Sequence, residues 1–103
     1  MRHLLSHTSG VCGWDHPVTR EDLYDWDRAT TMLAGQAPWH EPGSASGYQL
    51  VSFNYLVGEL IRRVTGVAPW TFIDEELSGP LGADFHIGLD SAEAHRLSPM
   101  VPP

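Results

Sequence analysis

The chain has 103 residues, 42% of them hydrophobic and 18% charged, which is the composition of one small globular domain rather than of a disordered segment. Its formal net charge is −7 and all six basic residues are arginines, so the sequence offers no basic face for nucleic acid or for an anionic membrane surface. No stretch is apolar over enough residues to serve as a signal peptide or to span a membrane, and we expect the chain as it stands to remain cytoplasmic.

The first third of the sequence predicts two helices separated by a loop. Residues 2–6 form an apolar stub typical of a helix end, which Thr8-Ser9-Gly10 terminates. Thr19 is a good N-cap for the second helix, because acidic residues follow in the first turn, where the helix dipole favours them, and Gly35 is its expected end. Between these two residues, the spacing of four side chains places them on one helical face: Leu23, Trp26, Thr30 and Leu33.

The clearest helical pattern follows a loop over residues 36–47 that is rich in proline and glycine. An apolar stripe recurs there at helical spacing through Leu50, Phe53, Val57, Leu60 or Ile61, and Val64. Glu59, Arg62 and Arg63 occupy the other faces, and Gly66 is typical of the residue that follows a helix end. We therefore predict a long helix that ends at Gly66.

The remaining predicted elements are short. Pro69 is favourable in the first turn of a helix, which would bury Ile73 and Leu77. Gly79-Pro80 is expected to stop that helix. Apolar residues then alternate with polar residues and glycine over residues 85–89, which is the pattern of a β-strand.

Together these elements predict a mainly α-helical fold of three to four helices and one short strand. A lone strand is unfavourable because its backbone groups need a neighbouring strand, so the pattern predicts a pairing partner from outside the chain. We assign residues 1–90 to a partial domain, and residues 91–103, which end in prolines, to a loose tail.

Tyr48 is the main candidate for chemistry, because a phenol where a loop meets a helix either packs against its neighbours or takes part in proton transfer. The segment GSASG is similar to the G-x-S-x-G turn of some hydrolases, but its central residue is Ala45. His3 and His7 would share one helix face without further ligands, so we predict no metal site and no cofactor. Cys12 is the single cysteine, so no internal disulfide can form.

Four segments occur in an order and at a spacing similar to those of a known family: RHLLSHTSG, PWHEPGSASGY, YLVGELIRRVTG and ELSGPLGADFHIGL. On these segments, which run from Arg2 to about Leu89, the chain resembles the serine β-lactamase-like family. It is most similar to the esterases related to class C β-lactamases, the family VIII carboxylesterases. The resemblance implies an internal fragment, the helical-lobe part of an α+β fold of the β-lactamase/transpeptidase type.

The resemblance also implies a reaction. In this family a Ser-x-x-Lys motif supplies a serine nucleophile and a lysine, a tyrosine of the helical lobe completes the proton relay, and small esters or amides react through an acyl-enzyme. Tyr48 matches that tyrosine, and His7, Thr8 and Ser9 would be hydrogen-bonding residues of a turn beside it. The β-lactamase pattern has an asparagine two residues after the tyrosine, where this chain has Leu50, which favours ester hydrolysis over β-lactam hydrolysis.

The chain contains no lysine, so the Ser-x-x-Lys motif is absent from it. We therefore expect part of a serine hydrolase that is inactive on its own. Two alternatives stay open. The chain could be a non-catalytic helical interaction module that binds partners or copies of itself through an apolar face. It could also be one half of a split hydrolase, completed in trans by a separate chain that carries the nucleophile.

Overall fold

A computed structural model describes residues 1–99 and residue 101. Its helices are α1 (Arg2–Leu5), α2 (Arg20–Tyr24), α3 (Trp26–Gly35), α4 (Ser52–Thr65), α5 (Pro69–Ile73) and α6 (Gly79–Leu81), with a π-helical turn at Asp74–Ser78 and a 3₁₀-helix at Ser91–Arg96. The mainly α-helical fold class is confirmed. None of the helices in this part of the chain is both long and apolar enough to cross a membrane.

The β-strand predicted over residues 85–89 is wrong, because no strand forms anywhere in residues 1–99. Phe85, Ile87 and Leu89 are 57%, 49% and 37% exposed, in irregular backbone. A strand needs a neighbour to bond its backbone groups, and alternation of side chains alone does not supply one. The segment expected to be a loose tail begins with the 3₁₀-helix, from which Arg96 forms an ion pair with Asp84. The domain boundary at residue 90 stays a prediction.

The predicted helix between Thr19 and Gly35 is two helices. Thr19 caps α2 as predicted: its hydroxyl accepts a hydrogen bond from the Asp22 N–H (3.1 Å), and the Asp22 carboxylate accepts one from the Thr19 N–H (2.9 Å). The helix then stops at Asp25, whose backbone is extended and whose carboxylate accepts the Arg28 N–H (3.0 Å). Aspartate competes well for the N-cap position, so Asp25 starts a new helix instead of continuing the first.

Helix α4 ends as predicted at Gly66, which takes a left-handed conformation with φ of +80°. The predicted apolar stripe began at Leu50, but α4 begins at Ser52. Leu50 lies in the turn before the helix and is 70% exposed. The residues that α4 buries are Ser52, Gly58 and Glu59. The sequence predicted that Glu59 occupies a face other than the apolar stripe, and that face is the one buried against Trp26 of α3.

The small core lies between α3 and α4. Ala29 and Leu33 of α3 are fully buried. Gly58 of α4 lies directly against Trp26, and a Cβ atom placed on Gly58 would be 2.6 Å from the indole ring. Glycine at this position therefore lets the two helices approach closely. Trp26 also packs against Trp70 of α5 at a ring-centroid distance of 5.9 Å, which brings the third helix onto the same core.

The buried Glu59 is held by three side chains. The Trp26 indole donates to its Oε2 (2.9 Å), Arg62 donates to both oxygens (2.7 and 3.0 Å), and Arg63 donates to Oε1 (2.7 Å). The hydrogen bond from Arg62 is the main reason that the pKa of Glu59 falls from 4.5 to about 2, against the opposing effect of burial. Arg62 also reaches Asp27 of α3 (2.9 Å), so the cluster joins α3 to α4.

Pro69 opens α5 as predicted, but Gly79-Pro80 does not stop the helical path. The chain continues through the π-helical turn, in which the Gly79 N–H bonds to the Asp74 carbonyl, and ends at Gly82 with φ of +60°. Pro80 falls in the first turn of α6, where its missing N–H would have no partner in any case. Leu77, expected to be buried, is 50% exposed because the wider turn rotates the side chains that follow it.

Candidate functional site

Two loops lie side by side and form the surroundings of Tyr48. They are the first loop, residues 6–18, and the second loop, residues 36–51. Three backbone hydrogen bonds join them: Trp39 N–H to Gly10 O (2.8 Å), Gly43 N–H to Thr8 O (2.8 Å) and Gly47 N–H to His7 O (2.9 Å). Because these bonds come from separate positions along both loops, they hold the second loop in one register against the first.

A buried glutamine locks the two loops together. Gln49 is 1% exposed, and its side-chain amide donates to the Ser9 hydroxyl (3.0 Å) and to the Val11 carbonyl (2.9 Å). Ser52, the first residue of α4, donates in the same way to the Cys12 carbonyl (3.0 Å). No sequence pattern indicates that Gln49 is buried, because an amide beside a glycine-rich loop is typical of an exposed position.

Tyr48 lies between Gly47 and Gln49, four residues before α4 begins, and is 69% exposed. Its ring packs against the His7 imidazole at a centroid distance of 4.9 Å and an interplanar angle of 59°. Its hydroxyl makes no hydrogen bond to any residue in the described ranges. The arrangement therefore combines a fixed backbone with a phenol hydroxyl that is available to a group outside these residues.

His7 is the centre of this arrangement. Its carbonyl accepts the Gly47 N–H and its Nδ1 accepts the Gln49 N–H (3.3 Å), so it binds both neighbours of Tyr48. Its ring lies 4.9 Å from the Tyr48 ring and 4.9 Å from the Phe53 ring. The hydrogen-bonding role that the resemblance implied for His7 agrees with these contacts, but the sequence did not indicate that they converge on Tyr48.

The other residues considered for metal binding or catalysis make contacts that hold the loops in shape. His3 bonds through Nδ1 to the Thr8 hydroxyl (3.2 Å), whereas His7 lies beyond the end of α1, so the two imidazoles do not share a helix face. No group of three or more histidine, cysteine or acidic residues is close enough to hold a metal ion in the part of the chain that the structure describes. Within the GSASG segment, Ser44 donates to the Glu41 carbonyl (2.6 Å), which closes a turn.

A second feature is an apolar groove of about 260 Å³ between α1, α4 and α5. It is lined by Met1, Leu5, Val57, Leu60, Ile61, Val64, Thr65 and Phe72. Val64 is 75% exposed and Leu5 is 55% exposed, so much of the predicted apolar stripe of α4 faces this groove instead of the core. An exposed apolar surface of this kind is typical of a docking face.

Comparisons with known proteins agree with this fold. The family model described as Beta-lactamase matches residues 1–102. The esterase/beta-lactamase LipL of Mycobacterium tuberculosis is 33% identical over 95 residues, which cover 91% of this chain and 22% of LipL. The crystal structure of a family VIII carboxylesterase is 45% identical with a TM-score of 0.93, over 97% of this chain and 28% of that structure. A penicillin-binding protein homolog from Caulobacter crescentus is 39% identical with a TM-score of 0.90, over 98% of this chain and 27% of that structure.

The chain thus spans between 22% and 28% of the length of these three relatives. Its backbone follows the two solved structures over nearly its whole length, at identities at which sequence and fold both indicate common descent. The chain belongs to the β-lactamase family.

Proposed function

We propose that this chain is part of a serine esterase of the β-lactamase-related type, and that Tyr48 is its acid/base residue. The observation that carries the proposal is the environment of Tyr48: the N–H groups of its neighbours Gly47 and Gln49 both donate to His7, while Tyr48 itself is 69% exposed. A phenol that only filled space would bury its ring, whereas a proton-transfer group needs a fixed position and a free hydroxyl.

The reaction needs two groups that these 103 residues do not contain. A serine hydroxyl is a weak nucleophile and needs a neighbouring base. A phenol with an ordinary pKa near 10 is about one part in a thousand ionised at neutral pH, and a neighbouring ammonium favours the phenolate. The chain has no lysine, so the ammonium and the attacking serine of a Ser-x-x-Lys motif have to come from outside it. Tyr48 would then accept the serine proton and return a proton to the leaving alcohol.

Small esters are the proposed substrates. Leu50 follows two residues after Tyr48 and is 70% exposed on the same loop. Its side chain cannot donate a hydrogen bond to the amide carbonyl of a β-lactam side chain, but it provides apolar surface for an acyl or alcohol group. The similarity to a family VIII carboxylesterase and to LipL supports ester hydrolysis as the reaction class.

The test is reconstitution. The purified chain is assayed with a short-chain p-nitrophenyl ester, alone and after co-refolding with a family VIII carboxylesterase polypeptide that lacks the segment similar to this chain. We expect no turnover from the chain alone, turnover from the mixture, and a loss of about 100-fold or more in kcat when Tyr48 is replaced by phenylalanine. Tyr24→Phe is the matched control, because it removes a hydroxyl from a side chain that is 82% exposed on α2. Full activity of a reconstituted Tyr48→Phe mixture would contradict the proposal.

The apolar groove favours a second function, that of a non-catalytic module that associates with itself or with a partner. Eight residues from three elements line this groove, and they offer a water-exposed surface that association would bury. An ester hydrolase completed in trans would use the same surface, so the two functions differ in turnover and not in binding. Association without turnover in the reconstitution assay would favour the module.

A further inference from the structure

His7 has a backbone conformation that is uncommon outside glycine. Its φ is +56°, and it is the only residue other than glycine with a positive φ in the ranges that the structure covers. The left-handed region brings Cβ too close to the backbone, whereas glycine adopts it at no steric cost. Every other positive-φ position described here is a glycine: Gly10, Gly43, Gly66, Gly82 and Gly88. If the turn alone mattered, glycine would be the favoured residue at position 7, so the imidazole must supply something.

The imidazole supplies contacts to Tyr48 and its neighbours. Its Nδ1 accepts the Gln49 N–H (3.3 Å), and its ring packs on the Tyr48 ring at 4.9 Å. The His7 carbonyl accepts the N–H of Gly47 (2.9 Å), on the other side of Tyr48. Phe53 of α4 packs against the imidazole at 4.9 Å and so fixes the ring plane. One residue therefore accepts hydrogen bonds from the N–H groups of both neighbours of Tyr48 and packs against its ring.

We propose that His7 is the positioning residue of Tyr48, and that it acts as a neutral imidazole whose proton is on Nε2. This role rests on the proposed acid/base function of Tyr48. A ring nitrogen that accepts an N–H hydrogen bond carries no proton, so the bond from Gln49 assigns the tautomer. His7 itself transfers no proton: it acts by limiting where the phenol hydroxyl can be.

The tautomer is measurable on the unmodified chain. Selective ¹⁵N labelling of histidine followed by two-bond correlation NMR separates protonated from unprotonated ring nitrogens, and the His7 signals are those missing from the His7→Asn spectrum. We expect an unprotonated Nδ1 near neutral pH and through-space contacts between the rings of His7 and Tyr48. The exposed His16 is the internal reference. A proton on Nδ1, or no contact between the two rings, would overturn the proposal.

Two substitutions separate positioning from a simple turn requirement. Asparagine tolerates positive φ and carries an acceptor oxygen, whereas glycine relieves the backbone and has no acceptor. In His7→Gly we expect the amide hydrogen of Gln49 to exchange about fivefold faster and the Tyr48 ring to lose its fixed orientation. In His7→Asn we expect the Gln49 bond to be restored. If His7→Gly keeps both the protection of Gln49 and the orientation of Tyr48, the turn alone positions the tyrosine and the proposal is wrong.

The reconstituted esterase distinguishes this inference from the proposed function. We expect His7→Gly to lower kcat with little change in KM, and His7→Asn to recover part of the loss, because the substrate-binding surface is unchanged. If Tyr48→Phe has no effect on turnover while the NMR signatures are present, the positioning is real and the acid/base role is wrong. If Tyr48→Phe abolishes turnover but His7→Gly leaves kcat unchanged, the acid/base role stands and the positioning role is wrong.

Discussion

The indole N–H of Trp26 donates to the buried carboxylate of Glu59 over 2.9 Å, and this bond joins α3 to α4 where Gly58 lets the helices meet. Glu59 is 8% exposed, and Arg62 and Arg63 supply the charge that compensates for its burial. Since Ala29, Leu33 and Pro69 are the buried apolar side chains in the described part of the chain, this polar cluster holds together a core that contains little hydrophobic area.

Replacing Glu59 by glutamine is therefore expected to destabilise the chain by about 2–3 kcal/mol. The amide cannot neutralise two guanidinium groups, and one of its oxygens becomes an NH₂ group that faces donors. Urea unfolding followed by tryptophan fluorescence measures the change. Glu76→Gln is the matched control, because Glu76 is exposed in the π-helical turn, and we expect it to change stability by about 0.5 kcal/mol or less. Equal effects of the two substitutions would show that the cluster contributes nothing.

The same cluster predicts how stability depends on pH. The pKa of Glu59 is about 2 in the folded chain, against an ordinary value of 4.5, mainly because Arg62 bonds to the carboxylate. Because the pKa is lower in the folded chain, the ionised Glu59 carboxylate stabilises the fold at every pH above its pKa in the unfolded chain. That stabilisation is lost as the pH falls from about 4.5 towards 2. We expect a loss on the order of 2 kcal/mol, reduced by solvent because Arg62 and Arg63 are partly exposed. Urea midpoints measured from pH 6 down to about 2.5 should show a fall that is smaller in Glu59→Gln, in which the lowered pKa values of Asp22 and Asp84 still contribute.

Local signals predicted the ends of the helices well. Thr19, Gly66 and Pro69 act as the cap, the left-handed terminator and the first-turn proline that their residue types indicate. These signals depend only on residues within one or two helical turns, so they can be recognised from the local sequence. The break at Asp25 was missed because aspartate also occurs inside helices, and the pattern did not show that its carboxylate would cap a new helix by accepting the Arg28 N–H.

The buried polar residues were harder to predict. A pattern analysis places apolar residues inside, and it therefore gave no sign that Glu59 or Gln49 is buried. Their burial depends on partners distant in the sequence: Trp26 for Glu59, and Ser9 and Val11 for Gln49. The role of Tyr48 stays a prediction from the family resemblance, and its contacts with His7 arise between two loops that the sequence does not show to be neighbours.

Gly58→Ala tests the close approach of α3 and α4. Alanine raises helix propensity by about 1 kcal/mol, but its Cβ would lie 2.6 Å from the Trp26 ring and 3.2 Å from Pro69. Overpacking of this kind costs about 1–3 kcal/mol, so after the gain in propensity we expect a net loss of stability of about 0–2 kcal/mol in urea unfolding. Gly35→Ala is the control, because nothing lies within 4 Å of the added atom. It should be neutral or slightly stabilising, and a stabilising Gly58→Ala would show that the helices do not meet at this point.

Asp25→Ala tests whether a side chain separates α2 from α3. The Asp25 carboxylate accepts the Arg28 N–H (3.0 Å), and loss of an N-cap acceptor costs about 1 kcal/mol. We expect that loss of stability, together with faster amide exchange in the first turn of α3. Asp25→Asn should keep most of the stability, since its amide oxygen can accept the same bond. An alanine variant as stable as the asparagine variant would mean that packing, and not the cap, sets the break.

The apolar groove predicts concentration-dependent association of the chain. Val64 is 75% exposed at its rim, so a glutamate there would place a charge in any interface that the groove forms. Burying a valine is worth about 1.5 kcal/mol, so we expect Val64→Glu to weaken association at least about tenfold in sedimentation equilibrium. Leu97→Glu is the control, because Leu97 is 64% exposed and lies outside the groove. Equal weakening by both variants would move the interface away from the groove, and a wild-type chain that is monomeric at all concentrations would contradict self-association.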